Sequence, residues 1–252
     1  MMDIILLKHS HHLPTEEVQT LLESDEVKGL DLFEVAHRQT HFGSNRLTAK
    51  KGKSPLILLL QQFHQPLIYI LLAAALITFA LREWVDSGVI FGVVLVNAIV
   101  GFIQESRALK AIEALALSME GSATVVRANK KARISSAELV PGDLVLLQSG
   151  DKVPADLRLI RSRELQVDES ALTGESVPVQ KQTECLQKHT MLGDRTNMAY
   201  SSTLVTYGTA AGLVVATGDG TEIGQINKLI ANADTLATPL TRKITQFSGT
   251  LL

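Results

Sequence analysis

In the stretch QVDESALTGESVPVQK, residues 166–181, Thr173, Gly174, Glu175 and Ser176 place one carboxylate between hydroxyls and beside a glycine, in a chain with little else that looks reactive. A carboxylate can serve as a general acid or base. The glycine permits a left-handed turn or a close backbone approach. Four residues of this composition describe a polar turn equally well, and the tetrapeptide alone does not select catalysis.

Other candidates fall away on spacing. Gly218, Gly220 and Gly224 in GDGTEIG run G-x-G-x-x-x-G rather than the dinucleotide-binding G-x-G-x-x-G, and a polar linker follows them. They read as a turn, with Asp219 or Thr221 capping the helix after it. There is no phosphate-binding G-x-x-x-x-G-K-[ST], no zinc spacing, no H-E-x-x-H and no G-x-S-x-G. His9, His11 and His12 in HSHH lack further ligands and read as solvated rather than metal-binding. The lone Cys185 forms no intrachain disulfide and reads as a packing residue in a reducing compartment. A net charge of −2 makes no electrostatic case for nucleic acid.

The elements around the tetrapeptide are of two kinds. At 46% hydrophobic and 4% aromatic residues, the chain is apolar for a soluble protein. Residues 1–55 read as a cytoplasmic region with two short helices, the second carrying Leu32, Val35, Ala36 and Gln39 on one face. No cleaved targeting segment is read at the start. Residues 56–106 read as a transmembrane hairpin with spans near 63–81 and 87–104, the first kinked at Pro66 and lengthened by its flanks toward the roughly 20 residues a bilayer requires. Lys50, Lys51 and Lys53 before it and Arg107 and Lys110 after it put both termini in the cytoplasm. Residues 107–121 continue as a stalk helix.

Residues 122–233 change character. A hairpin about Asn129 and Lys130 and the short runs DLVLLQ, DLRLI, LQVDE, STLVTYG and AAGLVVATG predict about seven short strands. The fold class is thus α+β with a membrane hairpin and a small all-β domain flanked by helices. Residues 234–252 read as a linker to a third membrane helix.

VDESALTGESVPVQK, preceded by PGDLVLLQSGDKVPADLRLI and by a hairpin ending in NAIVGFIQE, resembles the actuator domain and first two membrane helices of P-type cation-transporting ATPases. The resemblance covers residues 28–252 and is closest to the type II pumps for calcium, sodium/potassium or protons. It implies a distorted jelly-roll-like β domain and an integral, multi-pass protein, expected in the plasma membrane. Glu175 would position and activate the water that hydrolyses an aspartyl phosphate, and Gly174 would let the backbone approach the phosphate. Thr173 and Ser176 would fix the loop, and Pro178 would stiffen its exit. Segments 50–62, 107–120 and 231–246 would be the linkers that carry domain rotation to the membrane.

The phosphorylation motif DKTGT is not in the sequence. By the same resemblance, ATP and Mg2+ would serve the complete pump, with none bound by this chain alone. Its partners would be lipid, the transported cation, and the phosphorylation, nucleotide-binding and later membrane domains. The chain reads as the N-terminal part of a pump, expected to be inactive by itself. The spans offer Gln61, Gln62, His64 and Asn97 but no acidic ligand, so the cation stays open, and Glu83 and Asp86 read as a solvated link. The rival reading is a non-catalytic, membrane-anchored β domain that binds or regulates a pump or another partner.

Overall fold

The computed structural model describes residues 9–48, 54–64, 66–118 and 121–232. Lys50, Lys51 and Lys53 of the basic flank and the linker expected over 234–252 lie outside the described residues. The chain forms two units, one built from the sequence up to Thr48 and from Gly121 onward, the other from the stretch between.

The first unit is built on an antiparallel seven-stranded sheet, β1 (Ser122–Arg127), β2 (Lys130–Ser135), β3 (Leu144–Gln148), β4 (Asp156–Asp168), β5 (Val179–Gln180), β6 (Met198–Ala199) and β7 (Leu204–Ala216). Its order is β2-β1-β3-β7-β4-β5, with β6 also on β4. Arg127 pairs with Lys130, so the first hairpin turns on Ala128 and Asn129, one residue before the expected place. Both have positive φ, 47° and 61°, the geometry that matches a tight hairpin to strand twist. Val125, Leu147, Leu157, Leu159, Leu165, Val167 and Val214 make one core of the sheet.

The four runs DLRLI, LQVDE, STLVTYG and AAGLVVATG form two long strands, β4 and β7, whose pairing shifts register between Arg163 and Gln166. At that shift Glu164 has φ 50° and Gly208 φ 79°, and a Cβ on Gly208 would stand 2.3 Å from the Glu164 oxygen. The strands bend together there rather than ending.

The N-terminal helices, α1 (Thr15–Leu21) and α2 (Leu32–Phe42), belong to this same unit. Leu13, Val18 and Leu22 pack with Val126, Leu144, Leu213 and Val215 in a second core. The buried face of α2 is Val35 with Arg38, and Leu32 is exposed, against the expectation that it faces inward. Arg38 Nη1 donates to the carbonyls of Leu22 and Pro141 at 2.8 and 2.9 Å, and its Nε meets Glu34 at 2.6 Å. Those bonds offset part of the cost of burying a guanidinium, and Nη2 has only the Glu23 carboxylate, 3.8 Å away.

The second unit contains α3 (Pro55–Gln62), α4 (Pro66–Ala80) and α5 (Trp84–Ser118). Ser54 caps α3, with Pro55 in its first turn. Among the described residues α5 alone is long and apolar enough to cross a membrane by itself, over Trp84–Ile112 at mean hydropathy 2.0. It joins the expected second span and the stalk in one helix. α3 and α4 qualify only together, as a pair bent by 67°. Ser87 of α5 donates to the Ala75 carbonyl of α4 at 2.9 Å, and Gly101 lies so close to Gln62 that a Cβ would stand 2.3 Å from its Oε1.

Candidate functional site

Strand β4 carries the chain to the loop. Its inward positions alternate, Leu165 and Val167 buried, and Glu169 continues that phase into the interior. A single helical turn, α6 (Ser170–Thr173), follows. Asp168 Oδ1 accepts the Ser170 amide at 2.9 Å, which together with the Ser170 hydroxyl holds its carboxyl below the usual range. The Glu169 carbonyl accepts the amides of Leu172 and Thr173 at 2.8 and 3.0 Å and the Thr173 hydroxyl at 3.2 Å.

Gly174 closes the turn with φ 78° and ψ 0°, its amide donating to the Ser170 carbonyl at 2.9 Å. The left-handed conformation there is the one a side chain disfavours. Glu175 comes next, exposed, its amide donating to Thr173 Oγ1 at 3.2 Å. Ser176, Val177 and Pro178 are exposed too, with Val177 at 75%. Thr173 therefore both caps its own turn and braces Glu175. Behind it Gly193 lies so near that a Cβ would stand 3.3 Å from Thr173 Cγ2. Thr173, Gly174 and Glu175 are thus held as one turn, while the Ser176 side chain makes no hydrogen bond among the described residues.

Beneath the loop two opposite charges face each other in the interior. Lys181 Nζ is 2.6 Å from Glu169 Oε1, and both side chains are fully buried. Burial pushes the carboxyl up and the ammonium down, and each partner opposes the other's shift. Lys181 also donates to the Arg195 carbonyl at 3.5 Å and stands 5.8 Å from the centre of the Tyr200 ring. Burial raises the Tyr200 phenol.

Sequence reasoning missed Glu169, Lys181, Asp156 and Arg158. Asp156 is buried; its oxygens accept the amides of Ser201 and Glu222, each at 2.8 Å, and burial pushes its carboxyl up to about 7. It thereby helps to start α7 (Glu222–Asn232), whose own cap is Thr221, with Oγ1 accepting the Gly224 amide at 3.1 Å. Asp219 instead pairs with Thr48 and Lys228. The Arg158 guanidinium, its pKa lowered mainly by burial, donates to the carbonyls of Ser10, Leu13, Leu159 and Thr183. The available signal was alternation, which turns Glu169 inward with Leu165 and Val167.

Two side expectations are corrected. His11 is buried rather than solvated, at 1% exposure, because its turn packs on the 184–188 segment, with Nε2 3.2 Å from the Lys188 carbonyl. Cys185 is exposed rather than packed. Among the described residues no group of three or more histidines, cysteines or acids could hold a metal ion. The large cavity of about 960 Å3, lined by Lys131, Arg161 and Arg163 among others, includes no residue of the loop. The loop residues 174–178 are all exposed.

Two family matches cover most of the sequence. Residues 118–231 match the P-type ATPase actuator domain, and residues 10–78 match the N-terminus of the cation transporter/ATPases. The chain belongs to the P-type cation-transporting ATPases. Its loop is therefore an actuator-domain loop. It is 55% identical, over 94% of its length, to the probable cation-transporting ATPase F of Mycobacterium tuberculosis. It is 51% identical over 96% to the cation-transporting ATPase pma1 of Synechocystis, and 42% identical over 89% to the calcium-transporting ATPase of Bacillus subtilis. The chain spans about a quarter of the length of these relatives, 26%, 27% and 25% of each in turn.

Proposed function

We propose that this chain supplies the N-terminal and actuator portion of an ATP-driven cation pump, and that Glu175 brings water to an aspartyl phosphate carried by another domain. The observation that carries the reading is the exposed Glu175 carboxylate at the tip of a braced left-handed turn. A carboxylate can orient a water and take its proton as the oxygen attacks phosphorus. The same negative charge repels a phosphate, so the acid belongs on a body that approaches only when hydrolysis is due. Thr173 holds the Glu175 amide, and Gly174 leaves the approach free of a Cβ. In this reading ATP and Mg2+ serve the phosphorylation half of the cycle in the complete pump. Calcium is the first cation to test, because relatives named as calcium-transporting ATPases match over most of this chain.

A two-span hairpin belongs to the same proposal and is supported by parity. Residues on either side of the apolar stretch meet in one folded unit: Leu30 bridges Arg127, and Arg38 donates to Pro141. Both ends of the stretch are then on one side of the membrane, so it crosses an even number of times. If α5 crosses once, α3 and α4 together supply the other crossing. The turn residues Arg82 and Glu83 are then on the opposite side of the membrane from the two ends of the stretch.

The test is to join the full chain to the remaining part of a full-length relative and follow decay of the phosphoenzyme. Glu175→Gln is expected to slow decay by about a hundredfold or more, the scale of a lost general base. Decay at the parent rate would sink the assignment.

A further inference from the structure

We propose that the buried Glu169–Lys181 ion pair is the positioning element of the loop, setting where Glu175 stands; the inference rests on the pump reading above. The pair joins the two ends of the loop. Glu169 precedes α6 and its carbonyl takes three of the donors that shape the turn, while Lys181 is the first residue past β5. Between them run the exposed residues Ser170 to Gln180 except for the half-buried Leu172, Thr173 and Val179.

The sheet alone holds this segment weakly. β5 has two residues, pairing Gln166 with Gln180 and Val167 with Val179. The Lys181 amide adds one bond to the Leu165 carbonyl at 2.8 Å, and Ser162 Oγ donates to the Lys181 carbonyl at 3.0 Å. Those contacts fix the exit of the loop. On the entry side, the 2.6 Å contact from Lys181 reaches the Glu169 side chain, directly under the turn that presents Glu175.

As a pure stabiliser a buried ion pair is a poor choice, since desolvation offsets most of the attraction and apolar residues of similar size do as well. What it provides is a short charge contact between two segments, the one polar partner within 4 Å that the buried carboxyl shows among the described residues. Removing one partner strands the other charge in the interior, and the stranded group escapes by losing its charge or by moving out with its segment. Movement of either segment displaces Glu175.

This gives the two single variants opposite signatures. In Lys181→Met the lone Glu169 carboxyl stays inside while protonated, so the loop is held at acid pH and displaced as pH rises. In Glu169→Met the lone Lys181 amine stays inside while neutral, so the loop is held at alkaline pH and displaced as pH falls. Other titratable or charged groups around the pair are Tyr200, Asp156, Arg195 and the Glu222 that Arg195 faces at 3.7 Å. They are common to both variants, so they move the midpoints without reversing either sign.

The experiment measures phosphoenzyme decay against pH in the joined pump for the parent, Glu175→Gln, both single variants and the double variant Glu169→Met/Lys181→Met. Each single variant is expected to slow decay by about tenfold, equivalent to ~1.4 kcal/mol in the barrier, with opposite pH trends. The double variant is expected to recover most of the rate and lose both trends. Parent-like single variants beside a slow Glu175→Gln overturn the proposal. So do single variants with one shared pH profile and no recovery in the double. If Glu175→Gln itself decays at the parent rate, the pump reading of that residue fails, and hydrogen exchange in the 252-residue chain judges the pair separately. There the Thr173 and Gly174 amides are expected to exchange faster than in the parent at the same pH, in Lys181→Met toward high pH and in Glu169→Met toward low pH, and at the parent rate in the double; parent-like exchange in both single variants across the pH range overturns the pair's role.

Discussion

Asp156 illustrates how one side chain can link a strand, a turn and a helix at a cost that depends on pH. Its carboxyl caps Ser201 and Glu222 but is buried, with the acidic Glu222 and Glu169 nearby, and these raise it to about 7 from an ordinary 3.8. A folded state that holds a proton more tightly than the unfolded chain gains stability from that group at low pH and loses it as pH rises through the folded value. The contribution therefore falls between about 4 and about 7 and is level above. Asn cannot titrate, and its amide turns two N–H donors toward one of the two backbone amides, a cost of about 1–3 kcal/mol. Asp156→Asn is expected to melt below the parent, with the gap larger at pH 5 than at pH 8. A gap that widens with pH would contradict the assigned shift. Such residues were partly legible in the sequence. Alternation places Glu169 inward with Leu165 and Val167, but which buried partner answers it is a contact between segments that spacing does not encode.

Two glycines with nearly the same backbone angle separate what an element needs from what a turn needs. Gly208 of β7 has φ 79° and Gly174 of the loop has φ 78°. At Gly208 an added Cβ would meet the Glu164 carbonyl oxygen at 2.3 Å, whereas at Gly174 nothing lies within 4 Å. Alanine at either position takes on the left-handed strain, about 1–2 kcal/mol, and only at Gly208 must two long strands also move apart. Gly208→Ala is expected to lower the urea midpoint of the actuator unit clearly more than Gly174→Ala does. Equal midpoints would show that the bend between β4 and β7 accommodates a side chain. The same bend explains why the sequence reads as four short runs. A non-glycine residue such as Glu164 with φ 50° leaves no mark in composition, so a bulge looks like a strand end. The N-terminal helices were legible as helices, while their destination was not, because Leu13 and Val18 meet Leu144 and Leu213 more than a hundred positions away.

At the scale of the whole chain the membrane topology reduces to parity, and the single cysteine makes it measurable. Residues 9–48 and 121–232 fold together, so His41 on α2 and Cys185 in the actuator unit must share one side of any membrane. Both are exposed, as is Glu83 in the short turn before α5. With two crossings Glu83 is on the opposite side, and with none it is on the same side. The native chain is expected to react at Cys185 with a membrane-impermeant thiol reagent in inverted vesicles and not in right-side-out ones. In a Cys185→Ser background, His41→Cys is expected to follow that pattern and Glu83→Cys to reverse it. Labelling of Glu83→Cys from the Cys185 side would show that the stretch enters and returns without crossing. The polar residues Gln62 and Asn97 would then line no transmembrane route.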